Sequence, residues 1–181
     1  MIIFPNPGKE NTAAAVAAAM VKAAELNCPI VVASNTGASA EAVLEQGWCG
    51  RLVVVRNCST AANQGVNRMT SEVRKKLEGR GCTVIAAANA LSGGERSLST
   101  KFQVIDPMEV LSHTQRMFGQ GVKVCVECAT MAMDADELPF GQPVVALGGT
   151  AVGLDTAVVL TPSFSSSVLD TKIHEILCKP Y

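Results

Sequence analysis

Ser34, Thr36 and Ser39 place three hydroxyls within six residues, grouped around Gly37. An apolar run, residues 30–33, precedes them, and a short helical pattern, residues 40–45, follows. A buried strand that turns through such a loop into a helix presents backbone N–H groups with no intrahelical partner. The helix dipole adds partial positive charge at the same point. That combination accepts a phosphate, which makes Ser34, Asn35, Thr36, Gly37, Ala38 and Ser39 the first candidate ligand-binding residues. Charge-assisted hydrogen bonds contribute roughly 1.5–3 kcal/mol each, so three or four hold a micromolar ligand after ordering costs. The same six residues also read as an ordinary turn, with Ser39 capping its helix.

Other chemistry-bearing residues are spread along the chain. Asn11 and Thr12 open a helix and either cap it or assist the phosphate. An amide-rich loop, residues 57–67, contains Cys58 and is expected to border the ligand. Glu127 follows the alternating run 122–126, read as a strand, and either fixes a ligand hydroxyl or caps the next helix. Asp155, at the start of another strand, carries the same two readings. Gly148-Gly149 either lets backbone approach a flat ligand or only turns the chain. Arg96 and Lys101 offer countercharge or simply solvate the surface. Cys125 and Cys128 have redox spacing, but a redox pair wants its first thiol at a helix start, whereas Cys125 reads as embedded in a strand. Two cysteines with no second pair or nearby histidine make no zinc site, and no metal is expected. His113 and His174 fall away from the other candidates, which argues against a Ser–His–Asp hydrolase.

These residues must be positioned by alternating strands and helices. Strands are expected at 2–4, 30–33, 51–56, 82–87, 122–126, 143–147, 156–160 and 172–178. Helices are expected at 13–26, 40–45, 71–80 (capped by Thr70) and 107–118, Pro107 being tolerated in a first turn, with a further helix starting at 127–131. Nearly all-apolar strands separated by helices imply a mainly parallel sheet covered on both faces. The closing strand–turn–strand run adds an antiparallel edge. The expected fold is therefore a three-layer α/β/α domain spanning residues 1–181. In open α/β sheets ligands bind beyond the carboxyl ends of the strands. The polar, glycine-containing segments 34–39, 57–67, 89–101, 127–130 and 148–155 all fall there, while connections at the other end are short.

Composition narrows the function. The chain is 48% hydrophobic but only 4% aromatic and 17% charged, with net charge −1. No basic block marks a nucleic-acid footprint. No apolar run approaches the ~20 residues of a membrane span. Residues 1–6 lack a basic region and cleavage site, so no signal peptide is expected. Seven cysteines, an odd number partly inside apolar runs, fit free thiols in a reducing, cytoplasmic compartment. An apolar, Ala/Val-rich chain with a closing edge strand suggests a homo-oligomer.

Two resemblances add to this. The loop resembles the phosphate-binding fingerprint of flavodoxins: a hydroxyl residue, any residue, Thr-Gly, any residue, then Ser or Thr. That implies flavin mononucleotide (FMN), with its phosphate on the N–H and hydroxyl groups of Ser34 to Ser39. The loop here follows the second strand rather than the first, and the lone Trp48 belongs to the opposite end of the sheet. A broader resemblance, covering nearly the whole chain, is to the C-terminal domain of pyruvate kinase. It rests on the helix from Asn11, the strand 30–33, the loop Thr36-Gly37-Ala38-Ser39-Ala40 and the strand 143–147. Four further stretches resemble stand-alone prokaryotic proteins of this domain type. They are Pro7-Gly8-Lys9-Glu10-Asn11-Thr12, Leu91-Ser92-Gly93 with Glu95-Arg96-Ser97, Lys123-Val124-Cys125-Val126-Glu127 and Asp155-Thr156-Ala157-Val158-Val159. This resemblance implies a pyruvate kinase C-terminal-like fold. In pyruvate kinase the matching loop grips a phosphate of a sugar-bisphosphate effector. Without the barrel that carries the kinase active site, kinase activity is not implied.

The expected function is binding of a small phosphorylated ligand, FMN first, with hydride or electron transfer as the reaction class if the flavin is functional. Asn11, Thr12, Cys58, Glu127, Gly148, Gly149 and Asp155 join the loop as site residues. The alternatives are a non-catalytic effector module for a sugar phosphate or nucleotide, and a phosphate-ester or carbohydrate enzyme using Glu127 or Asp155 as base. No catalytic residue is identified.

Overall fold

A computed structural model describes residues 1–181. Its strands are β1 (Ile2–Phe4), β2 (Ile30–Ala33), β3 (Leu52–Asn57), β4 (Thr83–Ala87), β5 (Val144–Gly148), β6 (Thr156–Thr161) and β7 (Lys172–Pro180). They form one sheet in the order β1-β7-β6-β5-β2-β3-β4. β5, β2, β3 and β4 run parallel, β6 is antiparallel to both β5 and β7, and β1 closes the sheet parallel to β7. The expected antiparallel edge is thus β6 and β7, with β1 rather than β7 outermost.

The helices are α1 (Thr12–Leu26), α2 (Ala38–Glu45), α3 (Ser71–Gly79), α4 (Glu95–Phe102), α5 (Pro107–Arg116) and α6 (Gln120–Asp134). Successive strand residues point to opposite faces, and the core divides accordingly. Ile30, Val32, Leu52 and Val54 pack with Ala15, Val16 and Ala19 of α1, Val43 of α2 and Leu77 of α3. Val31, Val53 and Val55 pack on the other face against Val122, Cys125, Val126, Ala129 and Met133 of α6. The result is the three-layer α/β/α architecture the strand pattern implied. No helix is long and apolar enough to cross a membrane.

The local signals that specify these helices are simple ones. Thr70 caps α3, its hydroxyl accepting the Val73 N–H at 3.3 Å. Asp106 caps α5 by accepting the Met108 N–H at 2.7 Å, with Pro107 in the first turn. The C-terminus of α1 turns through Asn27 in the left-handed region (φ 47°), a conformation asparagine tolerates.

Two expectations are overturned. Residues 122–126 are not a strand but the interior of α6. Their alternation of valines with Lys123 and Cys125 mimics period 2, yet nearly every residue from Gly121 to Met133 is buried. A helix wrapped on most sides by protein loses the polar stripe that reveals a helical period. The segment 89–101 is not wholly loop either, since α4 begins at Glu95.

Candidate functional site

The carboxyl ends of β2, β3 and β5 form a rim at which three helices begin. α2 follows β2 directly. α1 starts beside the β5–β6 turn, where the Thr12 hydroxyl accepts the Leu154 N–H at 3.0 Å. α6 starts against the end of β5, since a Cβ on Gly148 would sit 2.7 Å from the Gly121 carbonyl oxygen. Between them lies a cavity of about 560 Å³, lined by Lys9, Thr12, Thr36, Ala38, Ser39, Arg68, Gln120 and Val124 among others. Asn35, Gly149, Ala151, Val152 and Gly153 complete much of its wall. Two cations face this cavity and no carboxylate does.

The loop 34–39 is built for this place. The Ser34 hydroxyl is buried and accepts the Ala40 N–H at 3.3 Å, while its own N–H donates to Val55 at 2.9 Å. Asn35 Oδ1 accepts the Asn57 N–H at 2.9 Å and ties the loop to the end of β3. The backbone N–H groups of residues 35–39 meet no protein acceptor. Five consecutive donors at the start of an eight-residue helix are therefore unpartnered, and Asn35, Thr36, Ala38 and Ser39 among them line the cavity. Ser39 does not cap α2: the cap position is Gly37, with no side-chain hydrogen bond.

Gly37 has a different role from the one its sequence suggested. Its φ is +100°, and a Cβ there would overlap Val73 of α3. The absent side chain makes room for α3. Gly148 likewise lets α6 approach β5, and Gly149 lets the 149–153 turn close on itself, a Cβ there overlapping the Gly153 carbonyl. Neither is held for a flat ring, although Gly149 remains on the cavity wall.

The remaining candidates separate. Thr12 lines the cavity, whereas Asn11 turns away, its amide donating to the Asn6 carbonyl at 2.8 Å instead of capping α1. Cys58 lies in an adjoining cleft of about 270 Å³ with Asn57, Asn63, Asn67 and Arg68. Asp155 is fully buried and accepts from the Gly8 N–H (3.2 Å), the Thr150 N–H (3.1 Å) and the Thr156 hydroxyl (2.8 Å). It knits the start of the chain to the β5–β6 turn that shapes the cavity. Glu127 sits in the middle of α6, not at a strand end, paired with Lys123 and accepting the Leu91 N–H at 3.1 Å. Both carboxylates are engaged with protein donors, which disfavours either as a free general base.

Arg96 lines a second cleft beside Lys123 and Glu127, while Lys101 lies over the Phe102 ring at 5.7 Å. Cys125 and Cys128 are both fully interior to α6; burial pushes the Cys128 thiol up to about 12 and Cys125 well above its ordinary value. Such thiols are poor nucleophiles at neutral pH. Trp48 sits at the far end of the sheet, its indole N–H donating to the Arg51 carbonyl.

Sequence reasoning missed Lys9, Arg68 and Gln120 as cavity residues. Lys9, directly before a helix start, carried a usable signal. Gln120 was hidden by the misread strand, and Arg68 comes from a loop with no local pattern.

No protein-family model matches the chain. Among solved structures it is similar to pyruvate kinases from Cryptosporidium parvum. One shares 14% identity over 84% of this chain and 23% of its own, with a TM-score of 0.44. A second, in complex with ADP, shares 15% over 94% of this chain and 24% of its own, with a TM-score of 0.41. A third shares 12% over 80% and 22%, with a TM-score of 0.38. This chain spans about a quarter of the length of those kinases.

Proposed function

We propose that the chain binds a small phosphorylated ligand, FMN in the first instance, with the phosphate on the N–H groups of residues 35–39. The observation that carries this reading is a run of five unpartnered backbone donors in a loop whose Asn35, Thr36, Ala38 and Ser39 line a cavity with two cations and no carboxylate. Phosphate binds well where helix N-termini and exposed N–H groups coincide, and here the starts of α1 and α6 reinforce that of α2. Thr12, Thr36 and Ser39 add hydroxyls, and Lys9 and Arg68 add charge. The cavity volume falls in the usual range for small-molecule sites. Adjoining clefts that share Asn35 leave room for a ligand extending beyond its phosphate. A bound flavin would supply hydride or electron transfer; the chain's own residues bind and orient it.

A sugar phosphate is the second reading, favoured by one observation. No aromatic side chain lines the cavity or the two adjoining clefts, while amides and hydroxyls are plentiful. On that reading the domain is an effector module of the pyruvate kinase C-terminal type, of the stand-alone kind, without kinase activity.

Flavin spectroscopy separates the two. Purified protein, or protein titrated with FMN, is expected to quench flavin fluorescence with micromolar affinity and show a perturbed 450-nm-region band. Failure to bind FMN, together with binding of fructose bisphosphate, would transfer the site to the effector reading. Failure to bind either, or inorganic phosphate, would refute the site.

A further inference from the structure

Beside the phosphate cavity lies a cleft of about 250 Å³ between the ends of β2 and β3 and the flank of α6. The two share Ala33, Asn35, Gln120 and Val124 as a common wall. The cleft holds Lys123 and Glu127, buried at 4% and 6% exposure, together with Arg96 and Arg116. Glu127 is the pair partner of Lys123, and its other oxygen is occupied by the Leu91 N–H. Lys123 has three donor hydrogens and this one protein acceptor. Arg116 is held by neutral groups only, Gln120 Oε1 and Ser112 Oγ, each at 2.8 Å. Arg96 forms no ion pair within the chain.

Three cations therefore line the cleft with one carboxylate that is already engaged; Arg96 and Arg116 also line a neighbouring cavity with Glu95, Asp106 and Glu109, none of which lies within ion-pair distance of them. Arg96 is exposed and Arg116 half-buried, whereas Lys123 is buried; a buried cation is ordinarily paired or hydrogen-bonded, and Lys123 keeps donor hydrogens beyond its one pair partner. Val55, Val124 and Met131 add apolar surface to the wall, beside the amides of Asn35, Asn57, Asn89 and Gln120. Arg116 is pre-oriented by its two hydrogen bonds, and an oriented guanidinium suits a planar carboxylate.

We propose that this cleft is a second anion site that takes the carboxylate of a small organic acid, adjacent to the phosphorylated ligand. Lys123 and Arg116 are its principal donors, and Glu127 holds Lys123 in place. The proposal goes beyond the phosphate site and does not depend on which phosphorylated ligand occupies it. The carboxylate is that of a separate acid, which binds whether or not the loop is occupied.

The test is calorimetric titration of the full chain with malonate, alone and with the loop saturated by inorganic phosphate. Malonate is expected to bind in both conditions, as a separate acid would. Arg116→Gln and the double variant Lys123→Met/Glu127→Leu are each expected to weaken it by about tenfold or more, the scale of a lost charge-assisted contact. Retention in either folded cleft variant, suppression by phosphate, or no malonate binding at all would overturn the proposal. Arg116→Gln leaves the buried pair untouched and decides the matter if the double variant does not fold, with thermal melting as the control.

Discussion

The two proposed anion sites, at the start of α2 and on the flank of α6, differ in the donors they offer. At α2 the donors are backbone N–H groups of residues 35–39, whose charge is partial and whose desolvation cost is small. At the second they are whole charges, the buried Lys123 of α6 and the half-buried Arg116 at the end of α5. A backbone site follows from how a strand hands over to a helix and tolerates changes in most side chains. A side-chain site depends on one buried pair staying balanced, so the same substitution is far more damaging there. The two surfaces are neighbours in space, yet they fail differently.

The largest expected effect tests that imbalance. Lys123→Met leaves Glu127 buried without its partner and should destabilise the fold by about 3–5 kcal/mol. Lys123→Met/Glu127→Leu removes both charges and should recover most of that loss. Urea unfolding of the two variants measures the difference, and equal destabilisation would show that packing, not charge, holds α6.

The α2 side should respond in the reverse sense. Ser39→Asp adds a carboxylate at a helix N-terminus, which favours the fold by about 0.3–1 kcal/mol while repelling phosphate. Flavin or phosphate titration should lose about a hundredfold or more of affinity, the scale of one or two charge-assisted bonds, with the melting temperature unchanged or raised. Gly37→Asp is a poorer probe, because the overlap with Val73 and the positive φ should cost about 1–3 kcal/mol in strain. A Gly37 variant as stable as the parent would show that α3 yields readily at this contact.

The smallest effect distinguishes the wetness of the two sides. Cys58 is half-buried in the cleft beside the phosphate loop, whereas Cys128 is buried on α6 with its thiol pushed up to about 12. Iodoacetamide near pH 8 should modify Cys58 and spare Cys128. A raised thiol value means that the unfolded chain ionises first. Stability is therefore intact below the ordinary thiol value of 9.0 and falls as pH rises toward about 12. The slope should approach about 1.4 kcal/mol per pH unit for one such thiol, read from urea melts between those limits.

Much of this architecture was legible in the chain because its signals are local. The apolar run at Ile30–Ala33, the small polar turn after it, the Thr70 cap and Pro107 in a first turn each state their geometry within a few residues. The phosphate loop belongs to the same class. Lys123, Glu127, Asp155 and Gly37 do not, because what each one meets lies far along the chain. Asp155 reads as a site carboxylate until Gly8, more than a hundred residues away in sequence, is seen donating to it. Gly37 reads as a ligand contact until α3 is seen against it.

By itself the sequence determined the layered α/β order, the parallel sheet with its antiparallel edge, and a strand–loop–helix suited to an anion. Periodicity and turn chemistry act over a few residues and survive without knowledge of the neighbours. Only the tertiary structure decided that the helix expected from 127–131 reaches back through residues 120–126, because burial on nearly every side erased the stripe that marks one. That single assignment moved Glu127 from the rim into a buried pair and placed the start of α6 beside those of α1 and α2. It also created a charged cleft that no stretch of sequence displays.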